Sequence, residues 1–181
     1  MAIRKRYLPK LNLQPVKELV DVRRMQHGGS PGAPPVKDGS REGAALNKSC
    51  VMMLSAVLQA HIEDVFLVVS RRLFKTLKGD DVIERYTNSY YRWGNPDANN
   101  IRNLFRRLGI DNVFEGLSWQ KATTENIKEK LVKINETRNR IAHGKDSDPA
   151  LTLSMIDNWC NFVDNFGSRF AAHVMTKVKR P

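Results

Sequence analysis

Between Val51 and Leu73, apolar residues recur at steps of three and four: Val51, Leu54, Leu58, Ile62, Val65, Val69 and Leu73. Successive residues of an α-helix turn by about 100°, so this spacing keeps one face of a helix apolar. Met53, Val57 and Phe66 widen the stripe. A stripe that wide belongs to a helix contacted on more than one side. The helix is expected over residues 44–77, and it constrains the fold because it needs several partners at once. It does not read as a membrane span, since Ser55, Gln59, His61, Glu63 and Asp64 interrupt its apolar run.

The partners that the chain offers are helices. Asp80 or Asp81 can cap a shorter one that runs to Tyr90 or Trp93 and carries Tyr86, Tyr90 and Tyr91. Gly94-Asn95-Pro96 breaks it, and Asn95 with Pro96 can start the next, which Gly109 closes. That helix turns Ile101, Leu104, Phe105 and Leu108 inward and shows Arg102, Arg106 and Arg107 on its other side. Residues 111–119 read as a short connection. A last helix is expected with Asp148 as cap, Pro149 in its first turn, and Ile156, Trp159, Val163, Phe166 and Phe170 as its stripe. No segment shows the alternation of a strand. The expected fold is all-α, a bundle of about four or five helices.

Outside this domain, placed at residues 44–176, stand a basic leader with an arm (residues 1–43) and a basic tail (177–181). Pro15 can start a short leader helix with Val16, Leu19 and Val20 on one side. Residues 28–43 hold five glycines and three prolines and read as a linker or extended arm. The net charge of +11 favours a polyanionic partner. Arg102, Arg106 and Arg107, close to the tyrosines, suit a phosphate backbone and unstacked bases, though core aromatics behind a solvated helix face would give the same pattern. Cys50 and Cys160 both fall in helical apolar stretches, so no disulfide framework is indicated. The nearest approach to a metal-ligand cluster, His61 with Glu63 and Asp64, lacks a second His or Cys at useful spacing, and no cofactor is expected. The N-terminus is basic without the apolar core of a signal peptide, which makes the cytoplasm the default location.

The chemistry concentrates at residues 134–144, INETRNRIAHG. A helix beginning at Thr123 or Thr124, with Glu125 in its first turn, would end here, and Gly144 is placed to close it in a left-handed conformation. Ile127, Leu131, Ile134, Arg138 and Ile141 share one face, so Arg138 occupies a position where the pattern asks for an apolar residue. A buried guanidinium is costly unless it is paired or has a task. Asn139 follows, and His143 lies one turn beyond it on the same side. In a chain of this composition, chance supplies roughly 0.03 occurrences of Arg-Asn-x3-His.

This stretch resembles the Arg-Asn-x3-His motif of the HEPN superfamily, helical domains many of which are ribonucleases. It is most similar to the RiboL-PSP-HEPN subgroup, whose members carry an RN-x-IAHG ending like Arg138 to Gly144. The resemblance covers about residues 44–172 and implies the same all-α fold. It implies a homodimer in which two motif copies line one cleft and cleave RNA. His143 would be acid and base, Arg138 the ligand of phosphate and transition state, and Asn139 an orienting or phosphate-binding amide. Such nucleases often carry an acidic residue on an earlier helix beside the motif, and Glu63 is the candidate. Arg102, Arg106, Arg107, Arg140 and Lys145 would contact RNA. A role as a toxin with a cognate antitoxin, or in antiviral defence, is also implied.

These residue types suit that chemistry. Cleaving RNA without a metal requires activating a 2′-hydroxyl, stabilising charge on phosphorus and protonating the leaving oxygen. Histidine titrates near pH 6.5 and can serve as base or acid, and arginine offers a planar, permanently charged fork for phosphate oxygens. On a regular helix, residues five apart point about 140° away from each other. Arg138 and His143 can therefore converge only with a facing surface or an unwound last turn. Plainer accounts exist: a helix C-terminal cation for His143, and a buried ion pair with Glu63 for Arg138. The rival function is a non-catalytic RNA- or nucleotide-binding helical module or partner protein. A DNA-binding regulator is disfavoured by the lack of a helix-turn-helix signature, and a membrane-surface protein by helices committed to a core.

Overall fold

The apolar stripe of the long central helix finds partners on several sides, as its width requires. A computed structural model describes residues 8–26, 36–37, 40–74, 76–90, 93–145 and 150–178. Among them are six helices: α1 (Gln14–Gln26), α2 (Ala44–Leu73), α3 (Asp80–Tyr90), α4 (Ala98–Arg106), α5 (Thr124–Ala142) and α6 (Leu153–Lys177). The fold is all-α. The exception is a two-residue antiparallel ladder between β1 (Val36–Lys37) and β2 (Ser40–Arg41), within the segment read as an arm.

Helix α2 meets α1, α4, α5 and α6 and buries Cys50, Val51, Leu54, Leu58, Ile62, Val65, Phe66 and Val69. By length and composition alone it could cross a membrane, but here its apolar stripe is the centre of the bundle. It ends at Leu73 rather than residue 77, because Phe74 turns extended (φ −109°, ψ 95°) while its N–H still bonds the Ser70 carbonyl. Cys50 and Cys160 are free thiols. Burial pushes both upward in pKa, Cys160 to about 11, which leaves them protonated and unreactive near neutrality.

The leader contributes to this core. Val16 and Val20 of α1 are buried, and Leu19 packs beside them. Arg23 is also buried, its Nη2 donating to the Glu42 carbonyl at 3.1 Å. Its guanidinium lies against Gly43, the residue before α2, where any side chain would collide with it. Arg24 reaches across to α6, with Nη2 3.0 Å from both oxygens of Asp157. That pair is half-exposed, so it contributes at most about 1 kcal/mol. Residues 1–7, most of the 28–43 arm, Tyr91 and residues 179–181 of the basic tail lie outside the described residues.

Several boundaries differ from the sequence expectation. Helix α4 is capped by Asp97, not Asn95, because the Asp97 carboxylate is the one that reaches the N–H of Asn100 (2.8 Å). Helix α6 starts at Leu153 behind Thr152, whose hydroxyl accepts from the Met155 N–H; Asp148 and Pro149 lie outside the described residues. The tyrosines of α3 belong to the core. Tyr90 is buried edge-on to Phe66 at 4.6 Å, and Tyr86 stacks on the same ring at 6.2 Å while donating its hydroxyl to Ser70. Tyr86 and Tyr90 are thus engaged with Phe66, which favours the reading of these two rings as core aromatics.

Two histidines tie elements together as neutral rings. His61 Nε2 lies 3.0 Å from the Gly167 carbonyl and His173 Nε2 3.0 Å from that of Val113. A carbonyl only accepts, so each Nε2 carries the proton. Burial, foremost, holds both pKa values below the usual 6.5. In the unfolded chain they bind protons first on acidification, so their stabilisation is present above about pH 6.5 and is lost as pH falls through the folded values. Burial raises Asp64, near His61, in the opposite sense, which offsets part of the loss only in the lower, carboxylate range. The urea midpoint is expected to fall between pH 7.5 and pH 5.5, with a shallower fall in His61→Gln. An unchanged midpoint in the wild type would contradict this account.

Candidate functional site

Helix α5 is defined tightly at both ends. Thr123 and Asn126 form a reciprocal capping box, the Thr123 hydroxyl accepting from the Asn126 N–H and the Asn126 side chain from the Thr123 N–H. At the far end Gly144 takes the left-handed conformation (φ 68°). Its N–H bonds the Ile141 carbonyl, and the Lys145 N–H bonds that of Arg140 at 2.8 Å. This is the Schellman closure, which satisfies carbonyls that the helix would otherwise leave orphaned.

Between these ends the buried face changes character. Ile127, Leu131 and Ile134 are buried apolar residues, and the face then continues as Asn135, Arg138 and Asn139. Arg138 is half-buried, not buried, and among the described residues no carboxylate lies within ion-pair distance of it. Its Nη1 donates to the Asn139 Oδ1 at 3.2 Å. The same oxygen accepts from the Asn95 Nδ2 at 2.9 Å. A guanidinium has only donors, so the Asn139 atom that faces it is the oxygen. Asn95 must then present its amide nitrogen.

The same logic orders the next layer. The Asp97 carboxylate accepts from the Asn100 N–H, the Asn100 Nδ2 (3.2 Å) and the Asn135 Nδ2 (3.1 Å). Asn135 is 9% exposed, and its Oδ1 is left without a partner among the described residues. The residues before α4 are thus stitched to α5 at two points one helical turn apart, Asn135 and Asn139. Neither Asn95 nor Asp97 nor Asn135 was marked as a site residue by the sequence. The only sequence signal is the density of Asn and Asp after Gly94, which reads equally well as a helix start.

Glu63 of α2 approaches this region without pairing with Arg138. Its Oε1 accepts from the Trp93 Nε1 at 2.8 Å and from the Gln59 Nε2 at 3.2 Å. The Glu63–Arg138 ion pair that would have been the plainer account of Arg138 is not formed; Glu63 Oε1 takes two neutral donors instead. Glu63 instead anchors the start of the same turn that carries Asn95.

His143 is exposed at the end of α5, with φ −92° and ψ 14°, and its own N–H bonds the Asn139 carbonyl. The helix is regular up to it, so the rotation of about 140° between Arg138 and His143 is retained within one chain. Arg140 and Lys145 are exposed beside it, and Arg102, Arg106 and Arg107 are exposed along α4. Among the described residues, no group of three or more His, Cys, Asp or Glu side chains is placed to hold a metal ion.

The arrangement offers a half-buried guanidinium without a counter-charge among the described residues, an amide that fixes one edge of it, and an accessible imidazole one turn on. In comparisons with known proteins, the sequence model of one family, RiboL-PSP-HEPN, matches residues 31–176. No curated protein and no solved structure gives a match.

Proposed function

The chain belongs to the RiboL-PSP-HEPN family, and on that premise we propose that it is a metal-independent endoribonuclease acting as a homodimer. The observation that carries this reading is Arg138, held half-buried by Asn139 with no carboxylate partner among the described residues, on the helix that ends in exposed His143. A half-buried guanidinium held by a neutral amide is suited to an anionic ligand, and RNA phosphate provides one. The excess of basic residues across the chain suits the same partner.

In the proposed reaction, one His143 removes the 2′-hydroxyl proton and the 2′-oxygen attacks phosphorus. The bond from phosphorus to the 5′-oxygen breaks, and the second His143 of the dimer protonates that oxygen. The products are a 2′,3′-cyclic phosphate and a 5′-hydroxyl. Arg138 neutralises the charge that develops on the phosphoryl oxygens. Two copies are invoked because one helix turns Arg138 and His143 apart, whereas a two-fold contact supplies both groups to one cleft from a single self-complementary surface.

Specific activity on RNA is therefore expected to fall on dilution, in step with the appearance of monomer in sedimentation. A protein that is monomeric and fully active would remove the shared cleft. The exposed arginines of α4 also favour a second reading, a non-catalytic RNA-binding module. In that case RNA binds but stays intact, and binding is indifferent to His143.

A further inference from the structure

We infer that Asn95, outside the motif and on a different element, is a positioning residue for Arg138. The inference rests on the reading of Arg138 as the phosphate ligand. The Asn139 Oδ1 is shared by two donors, Arg138 Nη1 and Asn95 Nδ2. If the Asn95 amide were lost, Asn139 could rotate about its side-chain torsions, and the guanidinium would lose its fixed edge. A long, half-buried side chain with no salt bridge among the described residues has little else to hold it in one rotamer, and ordering such a chain costs rotamer freedom.

Asn95 can serve because its own turn is clamped from three sides. Trp93, two residues earlier, donates to Glu63 of α2. The Asn95 carbonyl accepts from the Asn100 Nδ2 at 2.9 Å and from the Asp97 N–H at 2.8 Å. Asp97 in turn holds Asn135 of α5. Glu63 thereby bears on the motif through the turn, at one remove, instead of as a counter-ion. The polar groups that fix the geometry come from α2, from the turn before α4 and from α5, while the reacting groups come from α5 alone.

The test uses the full chain in four forms: wild type, Asn95→Ala, Asn139→Ala and the double variant, each checked for a cooperative melt. Asn95→Ser, which is too short to reach Asn139, replaces Asn95→Ala if the latter does not melt cooperatively. Nitrogen-15 relaxation at the Arg138 Nε, assigned with Arg138→Lys, reads the mobility of the guanidinium and needs no activity. Arg138 should be ordered in the wild type and mobile in Asn95→Ala. With RNA as substrate, Asn95→Ala should lose about 10- to 100-fold in kcat with KM little changed, and the double variant should be no worse than Asn139→Ala. Equal order of Arg138 in both proteins, or losses that multiply in the double variant, would overturn the assignment. A wild type that leaves RNA intact would instead remove the ribonuclease reading, and the relaxation data would still decide whether Asn95 holds Arg138.

Discussion

Replacing His143 by alanine is expected to lower the rate of RNA cleavage by about 10² to 10⁴-fold, the usual effect of removing a general acid or base. The fold should be untouched. His143 is exposed, its side chain makes no hydrogen bond among the described residues, and the closure of α5 runs through the backbone of Ile141, Gly144, Arg140 and Lys145. The melting temperature should therefore stay within a few degrees of the wild type, and RNA should still bind through the basic surface. Undiminished cleavage by His143→Ala would show that the imidazole has no part in the reaction.

Arg138→Ala is expected to reduce turnover by about 10² to 10³-fold, the scale associated with loss of one donor to developing transition-state charge. Its structural cost should be modest. Arg138 has no ion pair among the described residues, and its bond to Asn139 contributes about 1 kcal/mol net. RNA affinity should fall only a few-fold, because in this proposal Arg102, Arg106, Arg107, Arg140 and Lys145 would carry most of the attraction to phosphate. Kinetics and filter binding on the same preparation separate these effects. A variant that unfolds at ordinary temperature would mean that the guanidinium is chiefly a structural element of α5.

How far the molecule could be read from its residues depends on whether the cause is local. The stripe of α2 is periodic, and it predicted a central helix with partners on several sides. A threonine cap at 123 or 124 and the glycine at 144 are short-range signals, and both ends of α5 were legible from them to within a residue. The last turns of α2 were overestimated because apolar periodicity continues to Leu77 although the backbone leaves the helix at Phe74. At α4, Asn95 with Pro96 carries a start signal, but the cap is Asp97, whose carboxylate is the one that reaches the Asn100 N–H.

The candidate site could be named in its proposed reactive groups and not in its supports. Arg138, Asn139 and His143 sit within one helix end, where spacing has meaning. Their supports come from Asn95, Asp97 and Trp93, joined to α5 and α2 by bonds that span 30 to 44 residues of sequence. Such contacts leave no periodic trace. Glu63 shows the same limit, because its position along α2 suggested a partner for Arg138, but the Trp93 indole reaches it instead. The roles of Tyr86 and Tyr90 were open in the same way, since an aromatic residue near arginines looks alike whether its ring packs on Phe66 or faces a base.

The most direct test of the central claim is the chemistry of the RNA ends that purified protein produces in the presence of EDTA. Attack by the 2′-hydroxyl with His143 as acid and base predicts undiminished cleavage that leaves 2′,3′-cyclic phosphate and 5′-hydroxyl termini. Cleavage that stops with the chelator, or that leaves 5′-phosphate and 3′-hydroxyl ends, would contradict it.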